Sequence, residues 1–168
     1  IAIGEPTEQP AAQDPETEIV MLPLAEIPNA NLQEHAAPTR EQILAFESEL
    51  RKFPQAERLV EHTFGPNFYV RTLHLEAGDT LTGKIHATEH LFILSEGELL
   101  VATEDGTAHI KAPYQAVCRR GLKRVGHALT DVVCSNYHIT KETDLTKLEA
   151  QLIIPEALPA PEGLEVPE

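Results

Sequence analysis

Between residues 57 and 140 no long helical apolar period appears, and this constrains the chain more than any other feature. Short apolar runs (FYVRTLHL, TEHLFIL, ELLVAT, AHIKAP, YQAVC and DVVCSNYHI) alternate with turn signals: FGPN at 64–67, EAGD at 76–79, SEG at 95–97, EDG at 104–106, RRG at 119–121 and LTD at 129–131. A strand sends successive side chains to opposite faces, so half-buried strands are short and broken by turn residues. Runs of this length, spaced by roughly ten residues, predict about six to eight strands closed into a barrel or sandwich. No internal repeat is evident.

Helical signals flank this region. Thr39 and Gln42 form a capping box after Pro38, and Ile43, Phe46 and Leu50 recur at helical spacing with Leu44 beside them. Pro54 stops the pattern, which predicts a helix over 39–52 lying on the domain surface. A shorter helix is predicted in TDLTKLEAQLI, capped by Thr143 or Asp144.

The two ends read differently. The net charge is −14, and residues 1–38 hold seven acids without a Lys or Arg, while residues 142–168 hold seven acids against Lys147 alone. Six of the 13 prolines lie in 1–38 and four in 155–168. Such segments form neither helices nor central strands and bury little alone, so extended arms are expected. The arms carry apolar pieces, EIVMLPLAEIP with Ile19, Val20, Met21, Leu22 and Leu24, and LIIPEALPAPEGLEV. These suit either a neighbour's groove or the domain's own sheet edge. The basic cluster Arg119, Arg120, Lys123 and Arg124 suits either a solvated loop or a counter-surface for acidic segments of a neighbour. The acidity disfavours nucleic acid as a partner. No apolar run is long enough to span a membrane, and the first residues lack the basic and apolar regions of a signal peptide. Cys118 and Cys134 show no CxxC spacing, and two reduced, buried thiols are expected.

The stretch GKIHATEHLFILSEGE, residues 83–98, concentrates the chemistry. On one continuous strand Lys84, His86, Thr88, His90 and Phe92 share a face, and Glu89 points the other way with Ile85, Ala87, Leu91 and Ile93. HATEH is not the zinc-protease HExxH, because its acid is misplaced. His74 and His138 lie on other runs and are the candidates to join His86 and His90 in a three-histidine metal site; we take His138 as the third ligand.

AGDTLTGKIHATEHLFILSEGELLV resembles the first motif of the cupin superfamily, and APYQAVCRRGLKRVGHALTD resembles the second. The resemblance covers residues 68–140 and implies an all-β fold: a cupin-type jelly-roll barrel with an N-terminal helix, a short C-terminal helix and extended acidic, Pro-rich tails. It divides the chain into an N-terminal arm (1–38), a cupin-like domain (39–140) and a helix with a tail (141–168). Counting back from Gly97, His90 stands where the family has its Glu ligand, His86 takes the second His and Lys84 the first. Arg124 stands where the last His belongs. Ammonium and guanidinium groups cannot ligate a metal, since they offer no lone pair. Three readings of the site follow: a divalent transition metal on His86, His90 and His138; hydrogen-bonded core histidines beside Thr88 and Tyr137; or an anion held by Lys84 and Arg124.

In finer wording the chain is similar to small cupin-like proteins of tailed bacteriophages. That similarity implies a structural, non-catalytic virion component, such as a capsid decoration, cement or head-tail accessory protein. It would be assembled in the host cytoplasm, need no cofactor, and bind copies of itself and the major capsid protein. The half-replaced ligand set favours this reading. The alternative is a metal-dependent cupin enzyme, a dioxygenase, isomerase or lyase, acting on a small anionic substrate.

Overall fold

The computed structural model of the protein describes residues 37–155 and, as backbone, residues 17–21. In chain order its elements are β1 (Thr17–Met21), α1 (Arg40–Leu50), β2 (Val60–Gly65), β3 (Phe68–Leu75), β4 (Asp79–Gly83), β5 (Ile85–His86), β6 (His90–Glu96), β7 (Glu98–Thr103), β8 (Gly106–Lys111), β9 (Tyr114–Cys118), β10 (Arg124–Ala128), β11 (Val132–Ile139), α2 (Leu145–Leu152) and β12 (Ile153–Ile154). One antiparallel sheet runs β1-β4-β10-β7-β8 and the other β2-β3-β11-β6-β9. Their inner faces bury one core, with Leu73, Leu75, Phe92 and Leu94 from the second sheet against Leu99, Ile110 and Ala128 from the first. This is the expected all-β jelly roll, with a helix before it and a short helix after it.

The alternation in the sequence has its physical cause here. In FYVRTLHL the buried positions are Tyr69, Arg71, Leu73 and Leu75, one face of β3. The hairpin between β6 and β7 turns at Gly97, whose φ of 84° lies in the left-handed region, and a side chain there would strike the Asp131 carbonyl. Glycine is the residue that meets both conditions. At the same rim Arg58 clasps Asp79 with two hydrogen bonds of 2.6 and 2.8 Å, and Asp79 is 1% exposed.

The capping box forms as predicted, with Thr39 Oγ1 accepting from the Gln42 amide and the Gln42 side chain accepting from the Thr39 amide. The buried stripe of α1 is Ile43, Glu47 and Leu50, so a carboxylate takes the central place expected of Phe46, which is half-buried against Leu50. Glu47 is tolerated because Lys123 meets it in an ion pair and Arg51 lies 3.3 Å from its other oxygen. Lys123, a member of the expected counter-surface, is 3% exposed and fastens α1 to the barrel through Glu47. Arg40 ties the other end of α1 to Glu104 through hydrogen bonds of 2.9 and 2.6 Å.

The C-terminal segment folds back across the barrel. Asp144 caps α2, Leu148 and Leu152 pack on Tyr69, and β12 pairs with β5 so that Ile153 lies opposite His86. On the N-arm, residues Thr17–Met21 pair with β4 of the chain's own sheet. The backbone of Ile19, Val20 and Met21 therefore takes the self-closing option. Leu22, Leu24, the remainder of 1–36 and the tail 156–168 lie outside the described residues.

Candidate functional site

The inner face of the second sheet is graded in polarity from one end of the barrel to the other. Leu73, Cys134, Leu94 and Tyr114 stand in register as one layer; the next is Arg71, Asn136, Phe92 and Ala116. Beyond that come Tyr69 paired with His138, and His90 paired with Cys118. From the first sheet Arg124 enters between Gly83 and Thr103. His86 arrives from β5, held by β12 and by its carbonyl accepting from the Gly121 amide at 2.8 Å.

These elements bring His86, His90 and His138 together, with one ligand atom from each lying within 4.8 Å of the others. The rings pack closely: His86 and His90 are tilted with centroids 4.2 Å apart, and each stacks on His138 with centroids 4.9 Å apart. All three are buried, at 9%, 5% and 2% exposure. Burial is the first cause that drives their pKa values down, to about 2 for His86 and about 4 for His90 and His138. The Arg124 charge adds to each shift, and Arg71 adds to that of His86. The imidazoles are therefore neutral near pH 7, the form that offers a lone pair.

Their hydrogen bonding separates the readings left open by the sequence. Core histidines satisfied by Thr88 and Tyr137 are not what forms. Tyr137 stacks on Phe68 with centroids 5.2 Å apart, and only the Thr88 carbonyl reaches the cluster, 3.5 Å from His90 Nδ1. Nδ1 of His86 and Nδ1 of His138 are buried with no hydrogen-bond partner among the described residues. Each such orphan costs about 1–3 kcal/mol, so the pair is an argument for a ligand. Three neutral imidazoles are a donor set suited to zinc, nickel, copper or iron. Nitrogens about 2.1 Å from one ion would lie about 3.4 Å apart, so the cluster fits after a modest contraction.

Arg124 is the second component. Its Nη1 lies 3.1 Å from Cys118 Sγ, its Nη2 lies 3.3 Å from His90 Nε2, and its guanidinium sits 5.3 Å from the centre of the Phe92 ring. Among the described residues no carboxylate pairs with it. Lys84 lines the same cavity as Arg124, with its Nζ paired to Glu149 on α2 at 2.7 Å. The companion is Arg71, 5% exposed, which the sequence reading passed over. Its signal was a charged residue on the inward face of FYVRTLHL. A cavity of about 400 Å³ opens beside this group; its lining includes Arg71, Arg124, His86 and Asn136, the aliphatic Leu73, Leu75, Leu99, Val101 and Ile110, and also Lys84, Thr103, Asp105 and Thr107.

The remaining candidates fall away from the site. His74 bonds to Glu61 at 2.7 Å, and His127 Nδ1 meets Thr80 Oγ1 at 2.8 Å. Glu89 is exposed and takes no part in the cluster. The strand expected from Lys84 to Phe92 is interrupted at 87–89, so Thr88 is exposed instead of sharing the histidines' face. Arg119 pairs with Asp105 at 2.9 Å on the surface, and Arg120 is exposed. Cys118 and Cys134 are free and buried, and burial raises the Cys134 thiol to about 11.

No family model and no curated protein matches the chain. Among solved structures it is similar to a cupin-2 domain protein from Shewanella frigidimarina, with 18% identity, 56% of this chain and 91% of that one covered, and a TM-score of 0.41. An RmlC-like cupin family protein with a double-stranded β-helix fold from Methanocaldococcus jannaschii gives 13% identity, coverage of 55% and 86%, and a TM-score of 0.44. An acetylacetone dioxygenase from Acinetobacter johnsonii gives 16%, 49% and 58%, and 0.40. These likenesses carry no argument about what this chain binds; its double-sheet jelly roll rests on its own strand order and register.

Proposed function

We propose that the barrel is a small-molecule site built around a divalent transition metal on His86, His90 and His138, with Arg124 facing an anionic ligand next to it. The observation that carries this reading is the pair of buried, partnerless imidazole nitrogens on His86 and His138. A core evolved only for packing has no reason to hold three desolvated imidazoles beside a guanidinium that no carboxylate among the described residues pairs. Three protein ligands leave a coordination position open, the arrangement of catalytic rather than closed structural sites. A metal there would supply Lewis-acid or redox chemistry of the kind used by a dioxygenase, isomerase or lyase. The chain's own residues exclude water, orient the imidazoles through β5 and β12, and present Arg124 to negative charge.

Chelator-stripped full-length protein is expected to take up about one equivalent of Zn2+ or Ni2+ by isothermal titration, with His86→Ala and His138→Ala each weakening uptake at least about tenfold. Uptake by the unmodified protein below about 0.1 equivalent overturns the reading.

A second reading is the structural one, a bacteriophage virion component stitched to its neighbours by its arms. What supports it is β9, the outer strand of its sheet, which carries Val117 at 71% and Tyr114 at 40% exposure. An open edge with apolar side chains suits strand addition by an extended segment. Since residues 17–21 pair within the chain's own sheet, the informative deletion removes 1–16 and 156–168 and keeps β1. On this reading the shortened protein no longer joins assembled phage heads in co-sedimentation, and undiminished joining removes the reading.

A further inference from the structure

The cavity beside the histidines has a composition that selects its ligand. One end presents two guanidiniums, Arg124 and the buried Arg71, with Asn136 in register with Arg71 across β3 and β11. Asn136 Oδ1 is buried with no hydrogen-bond partner among the described residues. Much of the remaining wall is aliphatic, with Leu73, Leu99 and Val101, beside the polar Thr103, Asp105 and Thr107. An apolar ligand without charge would give Arg124 no counter-charge where none of the described carboxylates supplies one, and a small hydrophilic anion would leave the aliphatic walls unfilled. Both demands are met by one molecule with a planar anionic head and an apolar body, because a guanidinium matches a carboxylate in shape as well as charge.

We propose that the cavity binds an apolar monocarboxylate, its carboxylate held by Arg124 and Arg71 and its hydrocarbon body lying along the leucine and valine wall. About 400 Å³ lies in the range of small-ligand pockets and exceeds what a medium-length aliphatic or a monocyclic aromatic acid fills. The head comes to rest beside His86, so the ligand class is that of the small anion in the proposed function, and the inference rests on that reading of the cavity. It does not rest on the metal, since both arginines and the apolar wall belong to the chain itself.

The test uses full-length protein stripped of metal with a chelator, titrated calorimetrically with octanoate, 1-octanol and acetate. Octanoate is expected to bind at least tenfold more tightly than either 1-octanol, which lacks the charge, or acetate, which lacks the chain. Arg124→Gln is expected to lose at least tenfold in octanoate affinity while its affinity for 1-octanol stays within threefold. Equal binding of octanoate and 1-octanol, equal binding of octanoate and acetate, or no binding of octanoate overturns the proposal, and these comparisons need no variant to fold. Octanoate binding by a protein that takes up no zinc keeps the carboxylate site and discards the metal. Zinc uptake without octanoate binding does the reverse.

Discussion

Below pH 6.5 the metal-free protein is expected to lose stability steeply, and His86, His90 and His138 set the slope. In the unfolded chain each takes up a proton near its ordinary pKa of about 6.5. In the folded chain burial and the Arg124 charge hold His86 near 2 and the other two near 4. Between those values the unfolded state binds more protons, so unfolding becomes more favourable as pH falls, by about 1.4 kcal/mol per histidine per pH unit. Nothing is lost at pH 7.5, where both states are neutral. At pH 5 each histidine has withdrawn about 2 kcal/mol and the three together about 6, a sum comparable with the whole stability of a domain of this size. Guanidinium unfolding at pH 7.5, 6.5, 5.5 and 5.0 reads this directly. A stability that is flat from pH 7 to pH 5 would show that the cluster is hydrated or already paired. Replacement of all three histidines by Gln should flatten the curve.

The second large effect is expected at Lys123. Lys123→Met removes a cation that is 3% exposed and leaves Glu47, 4% exposed, with the Arg51 contact at 3.3 Å as its one remaining cation among the described residues. Breaking a buried ion pair from one side costs about 3–5 kcal/mol, and the Arg51 contact places this case near the lower end. The pair Glu47→Leu with Lys123→Met buries no charge and should recover most of that loss, because two well-packed apolar side chains avoid both desolvation costs. Denaturant midpoints for the two single variants and the double variant close a thermodynamic cycle. A loss below about 1 kcal/mol in Lys123→Met would mean that α1 is not fastened to the barrel here.

How far the chain could be read in advance follows from the range of the interactions concerned. Strand positions such as FYVRTLHL and ELLVAT coincide with β3 and β7, because alternation and flanking turns are local signals. The capping box at Thr39 and the cap at Asp144 were legible for the same reason. His86 and His90 stood out by their spacing, whereas His138 was one of two candidates on other runs, with no local signal to separate it from His74. Three features were not legible. Lys84 is answered by Glu149, 65 residues away, and Lys123 by Glu47 on a helix whose stripe seemed apolar in sequence. Arg71 becomes a site residue only when β3 and β11 place it beside Asn136. Each depends on pairing between distant segments, on which periodicity is silent. The interruption at 87–89, which periodicity did not signal, is what lets His86 and His90 meet, since a straight strand would hold residues four apart at about 13 Å.

The junction of α2 and β12 has a consequence for tolerance to insertion and deletion. Leu152 ends the helix and Ile153 starts the strand with no connecting residue, so the seating of Leu148 and Leu152 dictates which backbone groups meet β5. A strand has a two-residue period, and a slip of a single position reverses the side a residue presents. Length changes inside this last helix would therefore be transmitted, like a miscut gear tooth, to the imidazole of His86 on the far side of the ladder.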